Sequence, residues 1–219
     1  MSAFLPDTDI LAGFTAELAA ALARRDLAQA IDSEAMAAEM ATDYAATLAA
    51  NGDMVVDPPS EAHLARCAAI LAGYRALMPR LSESKTAIEV LRDAVLTPRR
   101  ATVEAWLGER MGVTPEAPEA AFAATSDNFK ARGDRVFGET YVYEQAVKDE
   151  SRNFVNVTRC FFNDFFRRSG TPELTQLCCA LDMLWADALN DGAYDVSFER
   201  PTTLAQGDDC CRFQFSRKT

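Results

Sequence analysis

RVFGETYVYEQAVKDESRNFVNVTRCFFNDFF, residues 135–166, decides the fold class of this chain. RVFGETYVYEQ (135–145) is aromatic and β-branched, and FVNVT (154–158) repeats that character, so both read as strands. Residues 159–168 then change to CFFNDFF, which predicts a helix. A second helix is predicted over 172–190, with Thr171 as its cap and Pro172 at its first position, and Asn190-Asp191-Gly192 ends it. YDVSFER (194–200) alternates, placing Tyr194, Val196 and Phe198 on one face and Asp195, Ser197 and Glu199 on the other. Gly207-Asp208 turns the chain into CCRFQF (210–215). The order β-β-α-α-β-β predicts an antiparallel sheet backed by two helices.

Upstream the pattern is helical. Ala-rich segments with apolar residues three and four apart cover roughly 8–25, 29–51, 60–79, 83–96, 100–112 and 116–131. Ser33, Ser60, Ser84 and Thr114 are the expected N-caps, and breaks are expected at Asn51-Gly52-Asp53, Pro58-Pro59, Pro79 and Pro98. The class is therefore α+β. A helical region over 1–132 precedes a sheet-bearing region over 133–219, the two expected to form one compact unit.

With 219 residues, 49% of them hydrophobic and 25% charged, the chain is an ordinary globular protein by composition. A net charge of −11 excludes nucleic acid as the main partner, because phosphate binding needs clustered Lys and Arg, and it disfavours anionic membranes. No apolar run approaches the roughly 20 residues that span a bilayer. MSAFLPDTDI has no basic stretch ahead of an apolar core, so the expected location is cytoplasmic and the thiols are expected to be reduced. Acidic, Ala-rich helices also suit a homo-oligomer contact.

Five of the six cysteines lie from residue 160 onward. At 100° per residue, Leu174, Leu177, Leu181, Leu184 and Trp185 form one stripe of the 172–190 helix, with Cys178 on its flank. Cys179 points about opposite, beside Thr175, Asp182, Met183 and Ala186. Cys178 is read as a small core residue and Cys179 as the thiol that shares a pocket with Asp182. In 210–215, Cys211, Phe213 and Phe215 share the covered face, so Cys211 is expected to look inward and Cys210 outward. Cys67, inside an Ala-rich helix, is structural. His63 is the only histidine and lies in the helical region, away from any nucleophile of the second region. Zinc patterns such as C-x-x-C are absent, which leaves a metal site of Cys160, Cys179, Asp182 and Cys211 as the one arrangement to consider. The cofactor stays open between none and a divalent metal held by that cluster.

Cys160, then Gly170-x-Pro172-Glu173-Leu174, then Cys179-x-x-Asp182, then Thr203-x-Ala205-x-Gly207-x-Asp209-x-Cys211-x-Phe213 resemble the L-2-amino-thiazoline-4-carboxylic acid hydrolase family. The resemblance covers about residues 135–216, and the tail is also similar to 4-vinyl-reductase-type small-molecule-binding domains. It implies a hydrolase acting on carbon–nitrogen bonds of a small cyclic amidine or amide. The founding activity of the family converts 2-amino-thiazoline-4-carboxylate to N-carbamoyl-cysteine. On this resemblance Cys179, Asp182 and Glu173 are the catalytic candidates, and Cys160, Thr203, Asp209 and Cys211 bind or support the substrate. A carboxylated substrate needs a basic partner, for which Arg159, Arg200, Arg212 and Arg167-Arg168 are near in sequence. A Cys179 thiolate could attack the amidine carbon, but the like charge of a neighbouring carboxylate raises the thiol pKa. That counts against a simple nucleophile and leaves two variants, a water activated by a carboxylate or a water on a metal held by the cysteines. The alternatives to a hydrolase are a non-catalytic binding or sensory protein of the 4-vinyl-reductase-like type and a Cys-ligated metal-binding protein.

Overall fold

The computed structural model describes residues 10–81 and 83–218. The chain forms two compact units, Met1–Pro98 and Arg99–Thr219. No helix among the described residues is long and apolar enough to cross a membrane.

The first unit is helical. Its helices are α1 (Ile10–Arg24), α2 (Ser33–Ala50), α3 (Pro58–Leu77) and α4 (Ser84–Arg100), the last running on past the boundary between the units. α3 is buried on nearly all sides, as an apolar helix without a polar face must be. At Gly73 it meets α1 and α4 so closely that a Cβ would lie 2.9 Å from the Phe14 ring. His63 is buried here, with Arg66 Nη1 3.1 Å from its Nδ1.

The caps differ from the expected serines. Asp32, not Ser33, accepts from the amides of Glu34 and Ala35. Asp57 accepts the Ser60 amide while Ser60 Oγ accepts the Asp57 amide, so Ser60 completes a capping box and Pro58-Pro59 open the helix instead of breaking the chain. A carboxylate adds charge to the same hydrogen bond, which favours it at a helix N-terminus. Ser84 is the first residue of α4 itself, and Pro98 sits inside the last turn of α4 instead of ending it.

The second unit starts ahead of the composition change at Gly133, which falls inside a helix. α5 (Val103–Met111) ends at Gly112, whose φ of 67° is the left-handed conformation that closes a helix. α6 runs Ala121–Phe137, so it begins later than Thr114-Pro115 suggested and extends into the stretch expected to be strand. Its start is tied down from a distance, because Asp195 Oδ1 accepts the Phe122 amide at 2.7 Å. Arg135, Val136 and Phe137 continue the helix, and Gly138, at φ 66°, breaks it. Here tertiary packing overrides β propensity.

The strands are β1 (Val142–Lys148), β2 (Arg152–Arg159), β3 (Val196–Glu199) and β4 (Cys211–Arg217). α7 (Phe161–Arg168) and α8 (Thr175–Asp191) lie between β2 and β3, as the β-β-α-α-β-β order predicted. The sheet is antiparallel with spatial order β1-β2-β4-β3. One face is buried by the alternation Asn153, Val155, Val157 on β2 and Cys211, Phe213, Phe215 on β4. α8 packs on β3, α6 on β4, and α5 on both helices. Trp185 of α8 stacks on Phe215 at 5.9 Å, and Phe198 packs against both rings at 4.6 and 4.9 Å. Burial of these aromatic rings, each worth roughly 1.5–3 kcal/mol, is what holds helices to sheet.

Candidate functional site at one end of the sheet

The antiparallel pairing brings the start of β1, the end of β2 and the start of β4 to one end of the sheet. There Tyr143, Val157 and Cys211 are paired in a row across three strands. Cys160 directly follows β2 and precedes the first turn of α7, and its Sγ donates to Tyr141 Oη at 3.4 Å. Leu204 donates its amide to Cys211 Sγ at 3.3 Å.

α8 supplies the other wall. Cys179, Asp182, Ala186 and Leu189 recur at spacings of three and four, so they share one face. Ala186 and Leu189 are buried in the core over the sheet, and Cys179 and Asp182 continue that face toward the open end. Cys178 is buried and Cys179 half-buried, as the helical geometry predicted.

Arg200 joins the two walls. Its Nη1 donates to Asp182 Oδ2 at 2.8 Å and its Nη2 to the Cys179 carbonyl at 3.1 Å. Only 8% of the Arg200 side chain is exposed, against 31% for Asp182. The guanidinium also lies 5.7 Å from the centre of the Phe213 ring.

Burial dominates the electrostatics. It raises the Asp182 pKa, while Arg200 and an indole hydrogen bond from Trp185 oppose the rise. Burial also drives the Cys179 thiol far up, with help from Asp182 and Cys160 and against Arg200. Cys160 is pushed up to about 12 by burial, partly offset by Tyr141 and by backbone amides. Cys211 is raised by burial and relieved by the Leu204 amide. Tyr141 and Tyr143 are raised for the same reason, and Asp182 acts on Tyr143. The resting site therefore holds three neutral thiols around the paired Asp182. Cys160, Cys179 and Asp182 each keep part of their surface accessible while Cys211 is buried, so the cluster is a partly covered recess and not a sealed core.

Of the residues singled out from the sequence, Cys160, Cys179, Asp182 and Cys211 come together, close enough for each to perturb others of the set. Thr203 is buried beside them as scaffold, its amide donating to Asp208 Oδ2 at 2.8 Å in the turn that delivers Leu204 to Cys211. Asp209 stands apart, because its side chain is 74% exposed and paired with Arg212 at 3.0 Å. Glu173 lies half-buried in the single 3-10 turn Pro172–Leu174 ahead of α8, and it is not among the strongest charges acting on Cys179 or Asp182. Cys210, expected to face outward, is buried, and its charged neighbours are Arg212, Asp209 and Glu144 on the turn and the sheet. Among the described residues no three Cys, His, Asp or Glu side chains converge as a metal site.

Sequence reasoning missed Tyr141 and Tyr143 as walls, and it placed Arg200 only as a loose carboxylate partner. The alternation of YVY at the start of β1 was the signal for the tyrosines. Arg200 carried none, since its partner comes from another element.

The family model described as L-2-amino-thiazoline-4-carboxylic acid hydrolase matches residues 62–215. The match takes in every residue of the recess and reaches back into α3. No curated protein and no solved structure matches the chain.

Proposed function

Because the chain belongs to the L-2-amino-thiazoline-4-carboxylic acid hydrolase family, we propose that it is a hydrolase that opens a small cyclic amidine of the 2-amino-thiazoline-4-carboxylate type in this recess. The observation that carries the reading is the Asp182 carboxylate, held by Arg200 at 2.8 Å, enclosed yet accessible, three residues from the Cys179 thiol.

A protonated aminothiazoline ring is an amidinium. Its arrival places a positive charge beside Asp182 and Cys179, which lowers the thiol pKa that the empty site holds high. Asp182, whose own pKa burial raises, is a stronger base than an ordinary aspartate. It takes the Cys179 proton as Sγ bonds to the amidine carbon. The ring C–S bond then breaks, the ring sulfur leaving as a thiol with the proton from Asp182, and Cys179 carries an S-linked isothiouronium. Asp182 next takes a proton from water as the oxygen adds to the same carbon. The carbon–Sγ bond breaks, the proton returns to Cys179, and the proton brought in on the ring goes to solvent. One water is consumed and N-carbamoyl-cysteine is released. Both C–N bonds to the former ring carbon survive, so the bond hydrolysed in this substrate is C–S.

A second reading has Asp182 activate water directly, with Cys179 remaining a thiol. The strong upward shift of Cys179 favours it. Rapid-quench intact-mass measurement separates the two. An adduct of substrate mass on Cys179 during turnover supports the covalent route, and turnover with no adduct supports direct hydration.

A further inference from the structure

We infer that Arg200 is the positioning residue of this site, holding Asp182 and the Cys179 segment of α8 in register, and that it does not receive the substrate's carboxylate.

Its two donors go to two acceptors on one helix, the Asp182 carboxylate at 2.8 Å and the Cys179 carbonyl at 3.1 Å. The planar fork of a guanidinium fits such paired acceptors, and a lysine ammonium has no equivalent. Arg200 directly follows β3, and Pro201 restricts it to extended backbone, so the side chain leaves the end of the strand in one defined direction. With 8% of the side chain exposed and the Phe213 ring below it, the guanidinium has already given up its water. Detaching it to meet an incoming anion would leave the half-buried Asp182 carboxylate without its cation. Arg159 and Arg212, paired with Asp164 and Asp209 at 3.1 and 3.0 Å, keep 57% and 37% of their side chains exposed, so a carboxylate is met more easily there.

The groups acting at Asp182 are Cys179 and Trp185 on its own helix, Arg200 after β3, Tyr143 on β1 and Cys211 on β4. Arg200 is the one cation among them. Removing it leaves only the Trp185 hydrogen bond against burial, and the carboxyl pKa moves up.

The test compares Arg200→Gln and Arg200→Lys with the native protein on 2-amino-thiazoline-4-carboxylate and on 2-amino-thiazoline, which lacks the carboxylate. This turnover arm rests on the hydrolase reading. A positioning role predicts that Arg200→Gln lowers kcat roughly a hundredfold on both compounds with KM little changed. It also predicts that the acidic limb of the pH–rate profile moves up and that Arg200→Lys restores part of kcat. If only the carboxylated compound turns over, the split between kcat and KM makes the same distinction. A loss confined to the carboxylated compound and expressed in KM overturns the inference. An independent arm follows the Asp182 carboxyl by carbon-13 NMR titration. An upward move in Arg200→Gln supports the inference and an unchanged titration overturns it. If Arg200→Gln does not fold, Arg200→Lys carries both comparisons. If the native protein turns over neither compound, the hydrolase reading fails while the titration still decides the role of Arg200.

Discussion

Asn190 pairs with the backbone of Phe198 on both sides of its amide, donating from Nδ2 to the Phe198 carbonyl at 2.9 Å and accepting the Phe198 amide on Oδ1 at 2.8 Å. β3 is an edge strand, so these backbone groups would otherwise face solvent unpaired. The side chain thereby fastens the last turn of α8 to β3, two residues before Arg200. Asn190→Ala should lower stability by about 1–2 kcal/mol, because both hydrogen bonds go at once at a partly exposed edge. Urea unfolding measures it. kcat should fall with stability, since the register of Arg200 against Asp182 depends on the same joint.

Gly133 lies inside α6 with its Cα against Tyr143. A Cβ there would come within 2.8 Å of Tyr143 Cζ and Oη. The tyrosine ring packs against Phe129 and Tyr141, so the crowding falls on a ring beside the candidate site. In Gly133→Ala the gain in helix propensity, about 1 kcal/mol, should roughly offset the crowding. The melting temperature should change little while KM rises severalfold. A melt and a substrate titration on the same preparation check both halves.

The β1–β2 turn is held by Asp149, which accepts from the amides of Ser151 and Arg152 and from the Arg152 guanidinium. These partners, Arg152 first, lower its pKa from 3.8 to about 2. A depressed carboxyl pKa gives stability that is fully present above the unfolded value and is lost as pH falls through the folded one. Asp149→Asn should therefore be less stable than the native protein at neutral pH. The difference should shrink as pH falls from about 4 and be lost below about pH 2. Denaturation curves taken across that range test the sign.

Cys179 should be slow to alkylate in the free protein, because burial and Asp182 both hold it as a thiol. Asp182→Asn removes a neighbouring negative charge, which lowers the thiol pKa and should speed alkylation at pH 8. Peptide-resolved iodoacetamide kinetics report Cys179 separately from Cys160. Slower alkylation in Asp182→Asn would mean that the carboxylate acts as a base toward the thiol even without substrate.

Much of the site could be read from local periodicity. The 100° step separates Cys178 from Cys179, and the two-residue alternation puts Cys211 with Phe213 and Phe215 on the inner face. Both rules act within one element and need no knowledge of its neighbours. Cys210 shows their limit, because a residue turned away from the core can still be covered by its own turn. The late start of β1 has the same origin. Val136 and Phe137 favour strand in isolation but continue α6, which packs on β4. Asp209 entered through the family spacing, yet it lies on the solvent side of the turn with Arg212. Arg200 was the least visible, since its role depends on a partner on α8 that no local pattern announces.

The most direct test is turnover of 2-amino-thiazoline-4-carboxylate by the native protein, Asp182→Asn and Cys179→Ala, followed by release of the product thiol. The native protein should release thiol, with a loss of at least roughly a hundredfold in Asp182→Asn, the scale of removing a general base. Cys179→Ala should show a comparable loss if Sγ is the nucleophile and a milder one if water adds directly. Native rates in both variants would place the chemistry outside this recess and contradict the account.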